Sequence, residues 1–315
     1  VPSSMFHGFN PTLIQLSETL TLRWSGAAAL AGFLIAFVWL KRQAERGVGP
    51  FTPADVSGFV LFTGLLGVLV GGHLGAVVLH QWDDFASDGT LAFLFRQSGT
   101  SVVGVFAGVL ACAAYHARKH QRPWLQVTDA LVLLAPLGLL LWHLAAFTDG
   151  EPLGRVTDMP WGVRFPAELN RDGFQPVAPP TLDLASLAQA PGHELARLAR
   201  ENPRFEEELL RILPPRHPVV LYEAALEGCV LLALLWAVRA RWPSLPTGVM
   251  TGLFFVLYGG LTWASAPLLE PNPNLPLSYQ FEQGVLLSLL LLAVGAAFLL
   301  EVLGQHRVTA PTPQA

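Results

Sequence analysis

Ionisable side chains that interrupt otherwise apolar runs are the first sign of chemistry in this chain: His73, His143, Glu223, Glu227 and Tyr258. Such groups are costly in an apolar setting, and by default each is a functional-site hypothesis. Two histidines and a carboxylate could pass a proton, making His73, His143 and Glu223 a candidate relay. They could also ligate a metal, although their separation in sequence lends no spacing support. Each has a structural alternative. A lone histidine in an apolar helix can bond a neighbouring helix, and Glu223 or Glu227 can pair with backbone or with an arginine such as Arg216. Tyr258, within LYGG, can serve as packing. Next to the apolar run that contains His143 lies a polar island, Asp149 to Pro166 (DGEPLGRVTDMPWGVRFP), carrying Glu151, Gly154, Arg155 and Asp158.

The elements that must position these groups follow from composition. The 315 residues are 52% hydrophobic and 13% charged, with a mean hydropathy of +0.46. A soluble domain carries about 25% charge. The deficit, with several apolar runs near the length of a membrane span, defines a polytopic helical membrane protein. The net charge of −4 is small, and no basic stripe suggests nucleic acid as a partner. The expected spans are Trp24–Leu40, Val56–Leu79, Val102–Tyr115, Ala130–Phe147, Val219–Val238, Gly248–Leu268 and Phe281–Leu300.

The connectors order these spans. KRQAER, HARKHQR, RAR and the tail with His306 and Arg307 follow the first, third, fifth and seventh spans, whereas the connectors after the second and sixth are acidic. By the positive-inside rule the N-terminus is expected outside, the C-terminus inside and the island outside. The fold expected is an all-α membrane protein: one transmembrane domain over residues 1–315, a bundle of about seven helices. Residues 148–216 are expected to form a small island and arm on the outer side, between helices four and five. Within the arm, His193 to Glu201 and Phe205 to Leu213 read as short amphipathic helices, with Glu206, Glu207 and Glu208 suited to a helix start.

At a rise of 1.5 Å per residue, His73 falls about 9 Å, and His143 and Glu223 about 6 Å, from the outer ends of their spans, with Glu227 one turn deeper on the same face as Glu223. Most of these groups therefore belong to the outer half of the bilayer, beneath Glu151 and Arg155, as one outward-facing polar cavity. Gly67, Gly71 and Gly75, with Gly104 and Gly108, form small-residue stripes that allow close helix contact. Cys112 and Cys229 both lie in spans and read as small buried hydrophobes. The first residues, VPSSMFHGFN, lack the charged start and cleavage site of a signal peptide, so the first span is expected to be retained.

Two long motifs carry a resemblance. GEPLGRVTDMPWGVRFP (Gly150 to Pro166) resembles the signature NGE-x-x-G-R-x-T-D-x-P-W-G-V-x-F-P of the prolipoprotein diacylglyceryl transferases, and RHPVVLYEAALEG (Arg216 to Gly228) resembles their RHPSQLYEALLEG. LRWSG, GGHLG and LYGG extend the likeness over essentially the whole chain. The resemblance implies a bacterial inner-membrane, multi-pass enzyme. Its reaction moves a diacylglyceryl group from phosphatidylglycerol to the lipobox cysteine thiol of a prolipoprotein signal peptide, without a cofactor or metal. That chemistry needs a thiolate and positive charge against the lipid phosphate. The residues it points to are His143, Glu151 and Tyr258 as catalytic, and His73, Gly154, Arg155, Arg216 and Glu223 as substrate-binding, with membrane lipid and the prolipoprotein as partners.

The departures from the family pattern concentrate on charged positions. Val103 stands where the family has a histidine, and His143 and Ala146 where it has arginine and asparagine. Thr262, Ala266 and Leu269 stand for arginine, glutamate and arginine; His73 stands for an arginine and Ser25 for a tyrosine. Arg155, Arg164 and Arg216 are the candidate replacements, with His143 or His73 as base. The alternative is a relative that binds lipid or a lipoprotein partner without transfer.

Overall fold

The structure, a computed structural model, describes residues 5–15, 21–88, 99–150, 153–171, 174–181, 187, 189–270 and 285–309. It divides into two compact units. The first comprises Val1–Ala29, Leu139–Ala225 and Pro267–Glu270, and the second Leu30–Gly138, Leu226–Ala266 and Pro271–Ala315.

Helices dominate. Those long and apolar enough to cross a membrane are α1 (Trp24–Glu45), α2 (Asp55–Leu79), α9 (Val219–Arg241), α10 (Val249–Ser265, continuing to Leu268 as a 3₁₀ turn) and α11 (Val285–Thr309, apolar over Val285–Val302). A sixth is obtained if α5 (Trp124–Val132) and α6 (Ala135–Asp149) count as one span broken by 43°. The sequence treats this stretch as a single span from Ala130. Pro136 in the first turn of α6 explains the break, because proline has no N–H to continue the ladder and crowds the preceding residue. The expected third span is a helix, α4 (Val102–Lys119), but His116, Arg118 and Lys119 occupy its last turn, and it is not among the five. Such helices make this a helical membrane protein. Their outward faces suit lipid: only 6% of the apolar window of α1 is buried, and Leu30, Leu34, Leu61 and Leu65 are exposed.

In the second unit, α2 and α4 cross through glycines. A Cβ built on Gly75 would lie 2.5 Å from the Cα of Gly104, and one on Gly71 2.9 Å from the Gly104 carbonyl oxygen. No larger side chain fits there without separating the helices. The middle of α2, Thr63–Val70, is π-helical, and so is Ala224–Val230 within α9. Leu40, Phe51, Val56, Phe59, Ala113 and Val127 build a core cluster in this unit. Cys112 is buried, whereas Cys229 is exposed, which corrects the expectation of two buried thiols.

Asp129 of α5 fastens α10. Its carboxylate accepts bonds from Gly248 N (2.7 Å), Thr251 N (2.8 Å) and Thr251 Oγ1 (2.6 Å), taking up donors that the first turn of a helix leaves unpaired. Gly248 enters that turn at φ +95°, a conformation glycine adopts without steric cost. Asp129→Ala is expected to lower stability by about 1–2 kcal/mol, the usual cost of removing a capping carboxylate. Thermal unfolding in a fixed detergent measures it, and an unchanged midpoint would show that the cap is dispensable.

The first unit holds short strands and two amphipathic helices. β1 (Met5–Phe6) pairs in parallel with β4 (Val163–Arg164), and β2 (Thr12–Gln15) pairs antiparallel with β3 (Thr21–Arg23). α7 (Gly192–Glu201) and α8 (Pro203–Ile212) bury Leu195, Ala199, Leu209 and Ile212 with Leu169 and Leu213 in a small core of their own. Asn202 caps α8 by accepting from the N–H groups of Arg204 and Phe205, and Pro203 occupies the first helical position. On its exposed face Arg211 bonds Glu208 and holds that carboxyl at about 2, well under the usual glutamate range.

Candidate active site

The polar island is threaded between two other segments of the first unit. Arg155 N donates to Leu268 O (2.8 Å), Glu270 N to Leu153 O (3.1 Å), Thr157 N to Pro215 O (2.9 Å) and His217 N to Arg155 O (3.0 Å). Val163 and Arg216 exchange a pair of backbone bonds, both 2.9 Å. Gly154 sits where these strands meet. A Cβ there would run into the His217 backbone and come within 2.8 Å of Val219 Cγ2, so the position admits only glycine. Glu151, the carboxylate expected at the rim, lies outside the described residues, as does Pro152.

Arg216 is the centre of this arrangement. Its Nε donates to Glu168 Oε2 (2.8 Å), its Nη2 to Glu168 Oε1, and its Nη1 to Gly154 O (2.8 Å), with Glu270 Oε2 at 3.7 Å from Nη1. The arginine side chain is 7% exposed and that of Glu168 4%. A guanidinium bound this fully is committed to the island and not offered to a ligand. Sequence reasoning missed Glu168, which follows the island directly in FPAEL. A carboxylate in that apolar company was the signal.

The other arginines differ in what they have left. Arg155 is exposed, with Nε on Leu269 O (3.2 Å), and its terminal nitrogens make no further bond among the described residues. Arg164 donates from Nε to Leu213 O (2.8 Å), and partial burial lowers its pKa. Trp161 Nε1 donates to Tyr222 Oη (2.7 Å), which leaves the phenolic proton for His217 Nδ1 at 3.3 Å. His7 is 6% exposed among Phe9, Phe147 and Phe165. It donates from Nε2 to Phe147 O (2.6 Å), and burial pushes its pKa down.

His143 and Glu223 meet. Their Nδ1 and Oε2 are 3.5 Å apart, and the side chains are 12% and 11% exposed. One comes from α6 before the island and the other from α9 after the arm, so the pair links segments far apart in sequence. The arrangement orients an imidazole by a carboxylate, as in many sites that move a proton.

His73 and Tyr258 belong to the second unit. His73 is half-buried on α2 beside the glycine crossing. Tyr258 is 3% exposed, its ring stacked on Phe254 (5.6 Å between centroids) and tilted against Phe106 (5.8 Å). Glu227, also in this unit, is 2% exposed and accepts from Thr262 Oγ1 (2.8 Å). The sequence expected Glu223 and Glu227 on one α-helical face. The chain between them is π-helical, which changes the rotation per residue; Glu223 meets His143, and Glu227 accepts from Thr262. Neither uses Arg216, which was one alternative. Among the described residues no group of three or more His, Cys, Asp or Glu side chains is arranged to hold a metal ion.

Apolar helices bearing a histidine–carboxylate pair, joined to a hydrogen-bonded polar island with an exposed arginine, define an integral membrane protein with a polar site. Comparison with known proteins narrows this class. The prolipoprotein diacylglyceryl transferase family matches residues 11–301, and the chain belongs to that family. A relative from Burkholderia thailandensis is 34% identical over 301 residues, covering 93% of this chain and 94% of its own. Relatives from Cupriavidus pinatubonensis (31% over 294 residues) and Vibrio cholerae (32% over 293) each cover 92% of this chain and 90% of their own. All three are named phosphatidylglycerol–prolipoprotein diacylglyceryl transferase.

Proposed function

We propose that this chain is itself a phosphatidylglycerol–prolipoprotein diacylglyceryl transferase of the bacterial inner membrane. About seven spans would place the N-terminus and the island outside and the C-terminus inside, as the alternating connector charges favour. Residues 148–216 form the outer island and arm. The observation that carries the proposal is the contact of His143 with Glu223 in a family member that lacks the family's usual histidine near Val103.

In this reading His143 takes the proton of the lipobox cysteine, and Glu223 stabilises the imidazolium that results. The thiolate attacks the glyceryl carbon that bears the phosphate ester. The new C–S bond forms as the C–O bond breaks, and glycerol phosphate departs with the bonding electrons. Arg155, with terminal donors to spare, faces the phosphate, and Arg164 supports it. Glu151, from the family signature, is assigned to the same rim. Arg216 and Gly154 hold the island in shape and so act on substrate through Arg155. Tyr258 and His73, which belong to the second unit, are assigned to substrate on the strength of the family motifs alone. No cofactor enters the reaction.

A second reading, lipid or lipoprotein binding without transfer, is favoured by a different observation. Thr262 replaces a family arginine and is spent on Glu227, and Arg216 is spent on Glu168. Removing one preorganised group that stabilises charge costs about 100- to 1000-fold in rate. The test is transfer of labelled diacylglycerol from phosphatidylglycerol to a lipobox peptide by the purified protein. A parallel variant has Glu151 and Arg155 both changed to Ala. Turnover that vanishes in the variant supports the transferase; lipid binding with no turnover in either supports the binder.

A further inference from the structure

Two cavities in the first unit share His193 in their lining. The smaller, about 130 Å³, is walled by His7, Phe9, Arg23, Thr148 and Asp149 among others, and so opens one residue before the glycine that begins the island motif. The larger, about 470 Å³, runs between the β2–β3 hairpin and α7, against Asn10, Thr12, Gln15, Thr21, Arg197 and Arg200. The larger lies within the usual size range of ligand pockets, but its walls are polar where most such pockets are apolar.

The charges along this trough are almost all neutralised from within. Arg23 pairs with Asp149 at 2.7 Å. Arg197 is held by Glu194 at 2.5 Å and by Glu201 at 2.7 Å. Arg200 is the exception: among the described residues its only bond is a long one, from Nε to Ala196 O at 3.4 Å. The trough therefore offers amides and hydroxyls, and one cation with unused donors among the described residues. A lipid phosphate is gripped by converging cations, which this lining does not supply. An extended peptide, with a donor and an acceptor on each residue, matches alternating amide and hydroxyl side chains.

We propose that this trough docks the segment of the acceptor chain that follows its lipobox cysteine, an extended polar peptide carrying an acidic side chain that pairs with Arg200. The proposal rests on the transferase reading above, because that reading puts the cysteine at the island. From there the rest of the acceptor has to leave the membrane on the island's side. The smaller cavity touches Thr148 and Asp149 beside the island, and the larger, which shares His193 with it, lies against α7 of the arm, where that segment would have to pass.

The test measures binding independently of turnover. The full chain in nanodiscs is titrated with fluorescent acceptor peptides whose cysteine is replaced by serine. One peptide stops just after that position. A second continues for about eight residues, some 25 Å at about 3.3 Å per residue, and includes glutamate; a third has lysine in place of that glutamate. The glutamate peptide is expected to bind about fivefold more tightly than the short one, the gain of one partly exposed ion pair. Arg200→Lys keeps the gain, and Arg200→Glu removes it and favours the lysine peptide, with affinity for the short peptide unchanged.

The proposal fails if the long peptide shows no gain, or if Arg200→Glu leaves the gain intact. It also fails if Arg200→Glu weakens both peptides equally or alters dependence on phosphatidylglycerol instead. Absence of transfer with the gain present overturns the transferase reading alone. Transfer without the gain overturns the docking alone.

Discussion

Glu168→Ala is expected to lower the unfolding free energy by about 3–5 kcal/mol, because it leaves the Arg216 guanidinium buried without its counter-charge. The geometry makes this a demanding case. Both side chains are nearly inaccessible, the contact is a two-pronged fork, and the third donor of Arg216 already serves the Gly154 carbonyl. Little water can enter to replace the lost carboxylate. Glu270, 3.7 Å from Nη1, is too far and too exposed to take over. Arg216→Ala should cost a similar amount, since it strands Glu168 in turn. The double substitution Glu168→Leu with Arg216→Met removes both charges and is expected to recover most of the loss. Thermal or denaturant unfolding of the four proteins in one detergent makes the comparison. Near-additive single losses, with no recovery in the double variant, would show that the two residues matter separately and not as a pair.

This pair also shows what the sequence conceals. The spans are legible because each is a local property: a run of apolar residues declares itself whatever it packs against. The helices from Trp24, Val219 and Val249 start within a residue of where hydropathy places them. The island and the RHP motif are legible too, since they are contiguous strings. Pairing is different. Glu168 and Arg216 are 48 positions apart, and no periodicity links them. His143 and Glu223 are separated by the entire arm, and both could be named as candidates without any means of knowing that they touch. The π-helical stretches are hidden for another reason. Ala224–Val230 has an ordinary helical composition that does not announce the wider turn, so the expected common face of Glu223 and Glu227 was an α-helical assumption. Pro136 was a local signal, and a stricter reading of it would have broken the fourth span where the bend occurs.

The substitutions away from the family pattern form a consistent physical story in one respect. Where an arginine is absent at position 262, threonine fills the site with a hydroxyl that satisfies buried Glu227. A buried carboxylate needs some donor, since an unsatisfied buried acceptor costs about 1–3 kcal/mol. The position has thus been settled for stability by a group that cannot hold a phosphate. His143, which also stands for an arginine, has not been settled in that way, because imidazole keeps the capacity to accept a proton.

That contrast gives the sharpest test of the proposed chemistry. His143→Ala is expected to reduce turnover by about 100- to 10,000-fold, the range for loss of a positioned general base. The Michaelis constant for phosphatidylglycerol should change little. Glu223→Gln keeps the shape and removes the charge that stabilises the imidazolium, and it should fall between the wild type and His143→Ala. The decisive variant is His143→Arg. Arginine stays protonated throughout the accessible pH range, so it cannot accept the thiol proton but can hold a phosphate. If His143 is the base, His143→Arg is as inactive as His143→Ala. If position 143 works as a cation, His143→Arg matches or exceeds the wild type, and the base must be sought elsewhere, beginning with His73. Activity that is equal in all three variants would remove His143 from the mechanism altogether and leave its contact with Glu223 as a structural bond between α6 and α9.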